Sequence, residues 1–164
     1  MTSLLGSSYR KGKNPDVIYC DTSFLGALYL PGGKFEPVAR KLASAFSEPM
    51  AFPWLSELEL SNSVYRGVGR NIYSQRVCAS ILRQIAQDKN AGLLFSWPLD
   101  LLPHFREAME LSKRFTPIYL CRSLDVLHVA AAGLLGAAEF ASFDTRQRKL
   151  AARAGLKLLP ERDL

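Results

Sequence analysis

Five short apolar runs rich in strand-forming residues alternate along this chain with stretches of helical period. No other feature restricts the fold as much. The runs fall at 17–20, 50–52, 93–97, 140–143 and 156–159. Continuous apolar runs of this length suit strands buried on both faces of a parallel sheet. Between them, Phe35, Val38, Leu42, Ala45 and Phe46 keep helical spacing over 35–46, as do Val77, Ile81, Leu82 and Ile85 over 72–88. A short helix capped by Thr22 or Ser23 is expected to reach Tyr29, where Pro31, Gly32 and Gly33 stop it. Others are expected from Pro53 towards Arg66, over 104–114, over 124–135 with Ser123 as its cap, and over 145–154. The pattern predicts an α/β fold, a three-layer α/β/α sandwich around a short parallel sheet. With 164 residues the chain is expected to form a single domain over 16–164, preceded by a flexible basic leader over 1–15.

A hydrophobic fraction of 48% and a charged fraction of 22% exclude a disordered chain or a fibre. The longest apolar run, 126–138, includes His128 and falls well short of the ~20 residues that cross a bilayer, so no membrane segment is expected. The N-terminus carries no apolar stretch of the signal-peptide kind. Cys20, Cys78 and Cys121 are widely spaced in apolar surroundings and read as buried free thiols, which fits a reducing cytoplasm. The net charge is +6, gathered in three stretches. These are Arg10, Lys11 and Lys13; then Arg66, Arg70, Arg76 and Arg83; then Arg146, Arg148, Lys149, Arg153 and Lys157, opposed only by Asp144. Each is either a solvated face or part of a surface for a polyanion, nucleic acid first.

Four acids occupy special places. Asp21 follows the first strand directly and Asp144 the fourth; Asp125 lies in the first turn of an otherwise apolar helix; Glu59 lies in the helix after the second strand. Taken singly, each has a structural explanation, since Asp144 can cap the helix after it and Asp125 can favour a helix start. Taken together, all four can reach the carboxyl edge of a parallel sheet, where ligands of such sheets bind. Clustered carboxylates raise one another's pKa unless a cation neutralises them. A hard divalent ion, Mg²⁺ or Mn²⁺, is their natural partner, and such ions serve phosphodiester hydrolysis.

Other chemistries find little here. Two histidines, His104 and His128, without a Cys-x-x-Cys pair do not make a zinc site. The chain has no nucleophile elbow, P-loop or Gly-x-Gly-x-x-Gly. An aspartyl-nucleophile phosphatase would carry a second Asp where Ser23 stands, and a receiver domain would want an acidic pair by the first strand. His128, one turn after Asp125, reads as a core residue or a support for the acids rather than a metal ligand.

Residues 17–23 (Val-Ile-Tyr-Cys-Asp-Thr-Ser), 58–63 (Leu-Glu-Leu-Ser-Asn-Ser), 122–132 around Ser123-Leu124-Asp125, and 142–147 (Ser-Phe-Asp-Thr-Arg-Gln), with Leu150, Ala151, Gly155 and Leu156, resemble the PIN domain family. Within it they resemble the VapC-type toxin ribonucleases, and the likeness spans roughly 16–160. The resemblance implies a Mg²⁺- or Mn²⁺-dependent endoribonuclease with catalytic Asp21, Glu59, Asp125 and Asp144, of which Asp21, Asp125 and Asp144 bind metal. It implies Ser23 as a supporting residue. It also implies an RNA substrate, a cognate antitoxin and a homodimer paired through apolar residues of the helices between 35 and 85. Glu59 is preferred to Glu57 because Leu60-Ser61-Asn62 follows it, and a spacing of two puts them on different helix faces. One departure is Arg146, which stands where many members carry a further Asp or Asn; it puts a second metal in doubt and suggests a phosphate contact. The rival within the family is a catalytically inactive module that binds RNA or protein.

Overall fold

A computed structural model describes residues 14–161. In chain order the elements are β1 (Asn14–Cys20), α1 (Thr22–Tyr29), α2 (Glu36–Ala43), β2 (Met50–Ala51), α3 (Trp54–Gly69), α4 (Gln75–Asn90), β3 (Leu94–Phe95), α5 (Leu101–Tyr119), α6 (Ser123–Leu134), β4 (Ala137–Ala141), α7 (Thr145–Arg153) and β5 (Lys157–Leu159). The strands form one parallel sheet in the order β3-β2-β1-β4-β5. Strand alternation divides the core. Val17 and Tyr19 of β1 pack with Ala108, Leu111, Val126, Val129 and Leu150 of α5, α6 and α7. Ile18 and Cys20 pack with Phe24, Ala39, Leu60, Val64, Ile81 and Ile85 of α1 to α4. Helices therefore cover both faces, as expected of a sheet whose strands are apolar throughout. Cys20, Cys78 and Cys121 are buried free thiols. Among the described residues no helix is long and apolar enough to cross a membrane.

The ends of the elements differ from the sequence expectations in instructive ways. Asp21, not Thr22 or Ser23, caps α1, and its Oδ1 accepts the Phe24 N–H at 2.8 Å. Ser123 is the first residue of α6 rather than its cap; Arg122 holds the cap position, and Asp125 Oδ2 accepts the Arg122 N–H at 2.8 Å. β4 ends at Ala141, so Asp144 stands three residues past the strand instead of directly after it. There the backbone leaves the ladder, because the Phe143 and Asp144 N–H groups donate to the hydroxyls of Ser23 and Ser142. α4 starts only at Gln75, since Asn71 takes a left-handed conformation and Ser74 caps the helix. On that helix Ile81 and Ile85 are buried as expected, while Cys78 takes the place expected of Val77, which is exposed. β1 takes in Asn14 and Pro15, while the rest of the expected leader, 1–13, lies outside the described residues.

The third basic stretch contains one structural cation, Arg148, and four exposed ones. Arg148 is only 7% exposed and donates to the carbonyls of Ser142, Leu159 and Pro160 at 3.1, 3.3 and 2.9 Å. Arg153 donates to the Tyr119 hydroxyl, and Lys157 pairs with Glu139 and Glu161.

Candidate active site

The sheet order places β1 at the centre, with the chain growing to β2 and β3 on one side and to β4 and β5 on the other. The crevice between the carboxyl ends of β1 and β4 is therefore the topological switch point, where open α/β sheets bind ligands. Helices that return antiparallel to the strands open at this edge. Asp21 and Asp144 are the N-caps of α1 and α7, and Asp125 is in the first turn of α6. Glu59 sits farther along, in the second turn of α3.

Asp21 is fully buried. Ser23 Oγ donates to its Oδ1 and Oδ2 at 2.7 and 2.9 Å, and Ser142 Oγ donates to Oδ2 at 2.6 Å. Each serine in turn accepts a backbone N–H from the β4–α7 link, Phe143 to Ser23 and Asp144 to Ser142. Burial pushes the Asp21 carboxyl above its ordinary value; nearby His128 and the bonds from Ser142, Phe24 and Ser23 pull the other way without prevailing.

Glu59 belongs to a second network. His128 Nε2 bonds to Glu59 Oε2, Thr22 Oγ1 donates to the same oxygen at 2.7 Å, and the Tyr19 hydroxyl meets His128 Nδ1 at 2.8 Å. A carboxylate only accepts, so His128 Nε2 carries a hydrogen and donates it to Glu59. Burial raises the Glu59 carboxyl, but the hydrogen bond and charge of His128, with Thr22, outweigh it and leave the group below its ordinary value. Glu57, two residues away, pairs instead with Lys89 at 2.6 Å. The other histidine, His104, is buried and donates from Nε2 to the Leu127 carbonyl at 2.7 Å; burial lowers its pKa, and its contacts are structural.

Gln147 ties the remaining two acids together. Its backbone N–H joins that of Arg146 on Asp144 Oδ1, and its side-chain amide donates to Asp125 Oδ1 at 3.3 Å. Asp144 thus does cap α7, and Asp125 does favour the start of α6; these contacts leave other carboxylate lone pairs available. Arg146 is exposed, and its charge is felt at Cys121 together with those of Asp125 and Asp144.

Among the described residues no three His, Cys, Asp or Glu side chains stand as a ready-made ligand group for an ion. The donors nevertheless fit a hard divalent ion of the kind that retains several waters and takes one or two carboxylates. All are oxygens, one carboxylate is buried at a cost, and the buried Gln147 Oε1 beside Asp125 has no partner among the described residues.

The PIN domain family matches residues 18–153. The chain belongs to the PIN domain family. PIN domains are nucleases that generally use divalent metal ions. No curated protein matches the sequence. Among solved structures, this fold is similar to that of VapC20 from Mycobacterium tuberculosis, described as a toxin that cleaves the sarcin-ricin loop. The TM-score is 0.64 at 17% identity, covering 85% of this chain and 95% of that one.

Ser142, Gln147 and Tyr19 join the site without having been expected there, and Thr22, expected only as a helix cap, joins it as a donor to Glu59. The first carried a usable signal. Asp21-x-Ser23 and Ser142-x-Asp144 mirror one another across β1 and β4, and each serine reaches Asp21.

Proposed function

We propose that the chain is a Mg²⁺- or Mn²⁺-dependent endoribonuclease and the toxin of a toxin–antitoxin pair. The observation that carries this is the fully buried Asp21, held by three donors, Ser23, Ser142 and the Phe24 N–H, at the switch-point edge where Asp125, Asp144 and Glu59 also face. Such a carboxylate gains little structurally from its burial and is useful once a cation compensates it. Asp21, Asp125 and Asp144 would hold the ion. When bound, it supplies Lewis-acid chemistry at the scissile phosphate. Glu59, whose pKa lies below its ordinary value, is ionised at neutral pH. Its Oε2 is engaged by His128 and Thr22, so Oε1 is left to accept a proton from the attacking water. Ser23 fixes Asp21 in place, and Arg146 holds a phosphate oxygen of the substrate.

The same reading places the protein in the cytoplasm with a cognate antitoxin covering the acids, and makes it a homodimer. Exposed apolar residues for pairing are present on α3, at Leu58 and Tyr65, but also on α5, at Leu101, Leu102, Phe105 and Met109, outside the 35–85 range.

The test is cleavage of labelled total tRNA and ribosomal RNA with Mg²⁺ or Mn²⁺ against EDTA, with Asp125→Asn as the control for contaminating nuclease. Discrete metal-dependent fragments that vanish in the variant are expected. Equal patterns from both proteins would overturn the activity.

A further inference from the structure

A groove of about 430 Å³ opens beside Ser23, between α1, the α1–α2 turn and the C-terminal half of α3. Its floor is one face of α1, since Ser23, Gly26, Ala27 and Leu30 are spaced i, i+3, i+4 and i+7. That face is ~10 Å long. Because Ser23 holds Asp21, one end of the groove is the rim of the acid cluster. The lining includes Lys34, Arg66 and Arg70 and no Asp or Glu. All three cations are exposed, and none enters an ion pair among the described residues.

The walls are built rather than incidental. The Tyr73 ring fills the space that a side chain on Gly67 would need, where a Cβ would come within 2.1 Å of it. The Tyr73 hydroxyl donates to the Val64 carbonyl at 2.8 Å. Opposite, Lys34 Nζ lies 4.8 Å from the Phe35 ring centroid, and Phe35 stacks at 4.6 Å on Phe143, the neighbour of Asp144. The larger cavity, about 520 Å³, offers a contrast on another side of α1, at Leu28 and Tyr29. It is lined by Glu48 and Asp88, and its Arg40 is paired with Glu36.

We propose that the groove beside Ser23 seats the RNA strand on one side of the scissile phosphate, with Lys34, Arg66 and Arg70 as positioning residues for its backbone phosphates. This rests on the reading of the acids as a ribonuclease centre. Four carboxylates repel a polyanion, so a nuclease needs cations beside them to bring the strand in. In the third basic stretch Arg148, Arg153 and Lys157 have partners within the fold, whereas Arg66 and Arg70 of the second meet Lys34 in one acid-free channel. Contacts to phosphate fix register and carry no sequence information, so the groove orients RNA without choosing it.

The experiment uses the full chain in an Asp125→Asn background with Mg²⁺ and a fluorescein-labelled, mixed-sequence oligoribonucleotide of twelve nucleotides, read by anisotropy across salt concentrations. The groove triple variant (Lys34→Ser, Arg66→Ser, Arg70→Ser) is compared with an Arg76→Ser, Arg83→Ser control on exposed α4 positions outside the groove. Circular dichroism confirms that each folds. The groove variant should lose affinity at least tenfold, and its log K against log salt slope should fall by about 2, from roughly 0.7 per single-strand phosphate contact. The control should match the parent.

Unchanged affinity and slope in the groove variant, or an equal loss in the control, would overturn the proposal. So would retained RNA binding with loss of a glutamate-rich peptide, which would assign the groove to an acidic protein partner. With Asp125 intact, cleavage by the groove variant should show a raised KM with kcat kept. A parent that binds RNA through the groove but never cuts it would sink the ribonuclease reading alone. Cutting with an unchanged KM would sink the groove alone.

Discussion

The Ser142 hydroxyl donates to Asp21 Oδ2 at 2.6 Å across 121 positions of sequence, and so fastens the end of β4 to the buried acid after β1. The same hydroxyl accepts the Asp144 N–H at 3.0 Å. One small side chain thus sets the placement of two acids. Ser142→Ala leaves the buried Asp21 carboxylate short of a donor, at an expected loss of about 1–3 kcal/mol in urea unfolding of the metal-free protein. Cleavage should fall with it. A variant as stable and active as the parent would show that Ser23 and the Phe24 N–H suffice.

Asp21→Asn is expected to stabilise the metal-free protein near neutral pH. The folded Asp21 pKa is raised by burial, so its contribution to stability is present below the ordinary carboxylate pKa and is lost as pH rises through the raised value. Above that value the fold holds an uncompensated buried charge, which the amide removes. In melting curves with EDTA, the variant should exceed the parent at pH 8 and lose that advantage at pH 3. Adding Mn²⁺ should raise the melting temperature of the parent and not that of the variant. A variant that melts lower at pH 8 would count against this account.

Glu59 has the opposite sign. Its folded pKa is lowered, chiefly by His128 against the effect of burial, so its contribution is present above the ordinary glutamate pKa and is lost as pH falls through the lowered value. In an Asp21→Asn background, which silences the opposing group, the urea midpoint should fall between pH 6 and pH 3.5. Glu59→Gln should flatten that fall, and so should His128→Gln. A fall of the same size in all three proteins would place its origin elsewhere.

His128→Ala empties a fully buried position and leaves the Tyr19 hydroxyl and Glu59 without their shared partner. A cost of about 2–4 kcal/mol is expected in urea unfolding. Tyr19→Phe keeps the ring stacked on Phe140 at 5.5 Å and removes only the hydroxyl bonded to Nδ1, so it should cost about 1 kcal/mol. Equal losses would mean that ring packing, not the hydrogen-bond chain, dominates there.

Arg148→Met tests whether a residue from a basic stretch is structural. It removes the donor shared by the Ser142, Leu159 and Pro160 carbonyls and should cost about 3 kcal/mol. Lys149→Ser, on the exposed side of the same helix, should stay within about 0.5 kcal/mol of the parent. If the two variants unfolded at the same urea concentration, Arg148 would belong with the surface charges after all.

The sequence by itself determined the alternation of strands and helices, the two-sided burial of the sheet and the buried thiols. All of these depend on period, run length and near-neighbour spacing, which are written locally. It also marked the acids, because strand ends and helix starts bring them to one edge. Only the tertiary structure decided what holds those acids. The Ser142–Asp21, Tyr19–His128 and His128–Glu59 bonds join residues 121, 109 and 69 positions apart, and their existence depends on how β1 pairs with β4 and how α3 and α6 pack over opposite faces. Tertiary packing likewise sorted the arginines. Charge along a chain has no inside or outside, so Arg148 became a buried clamp while Arg66 and Arg70 came to line a channel.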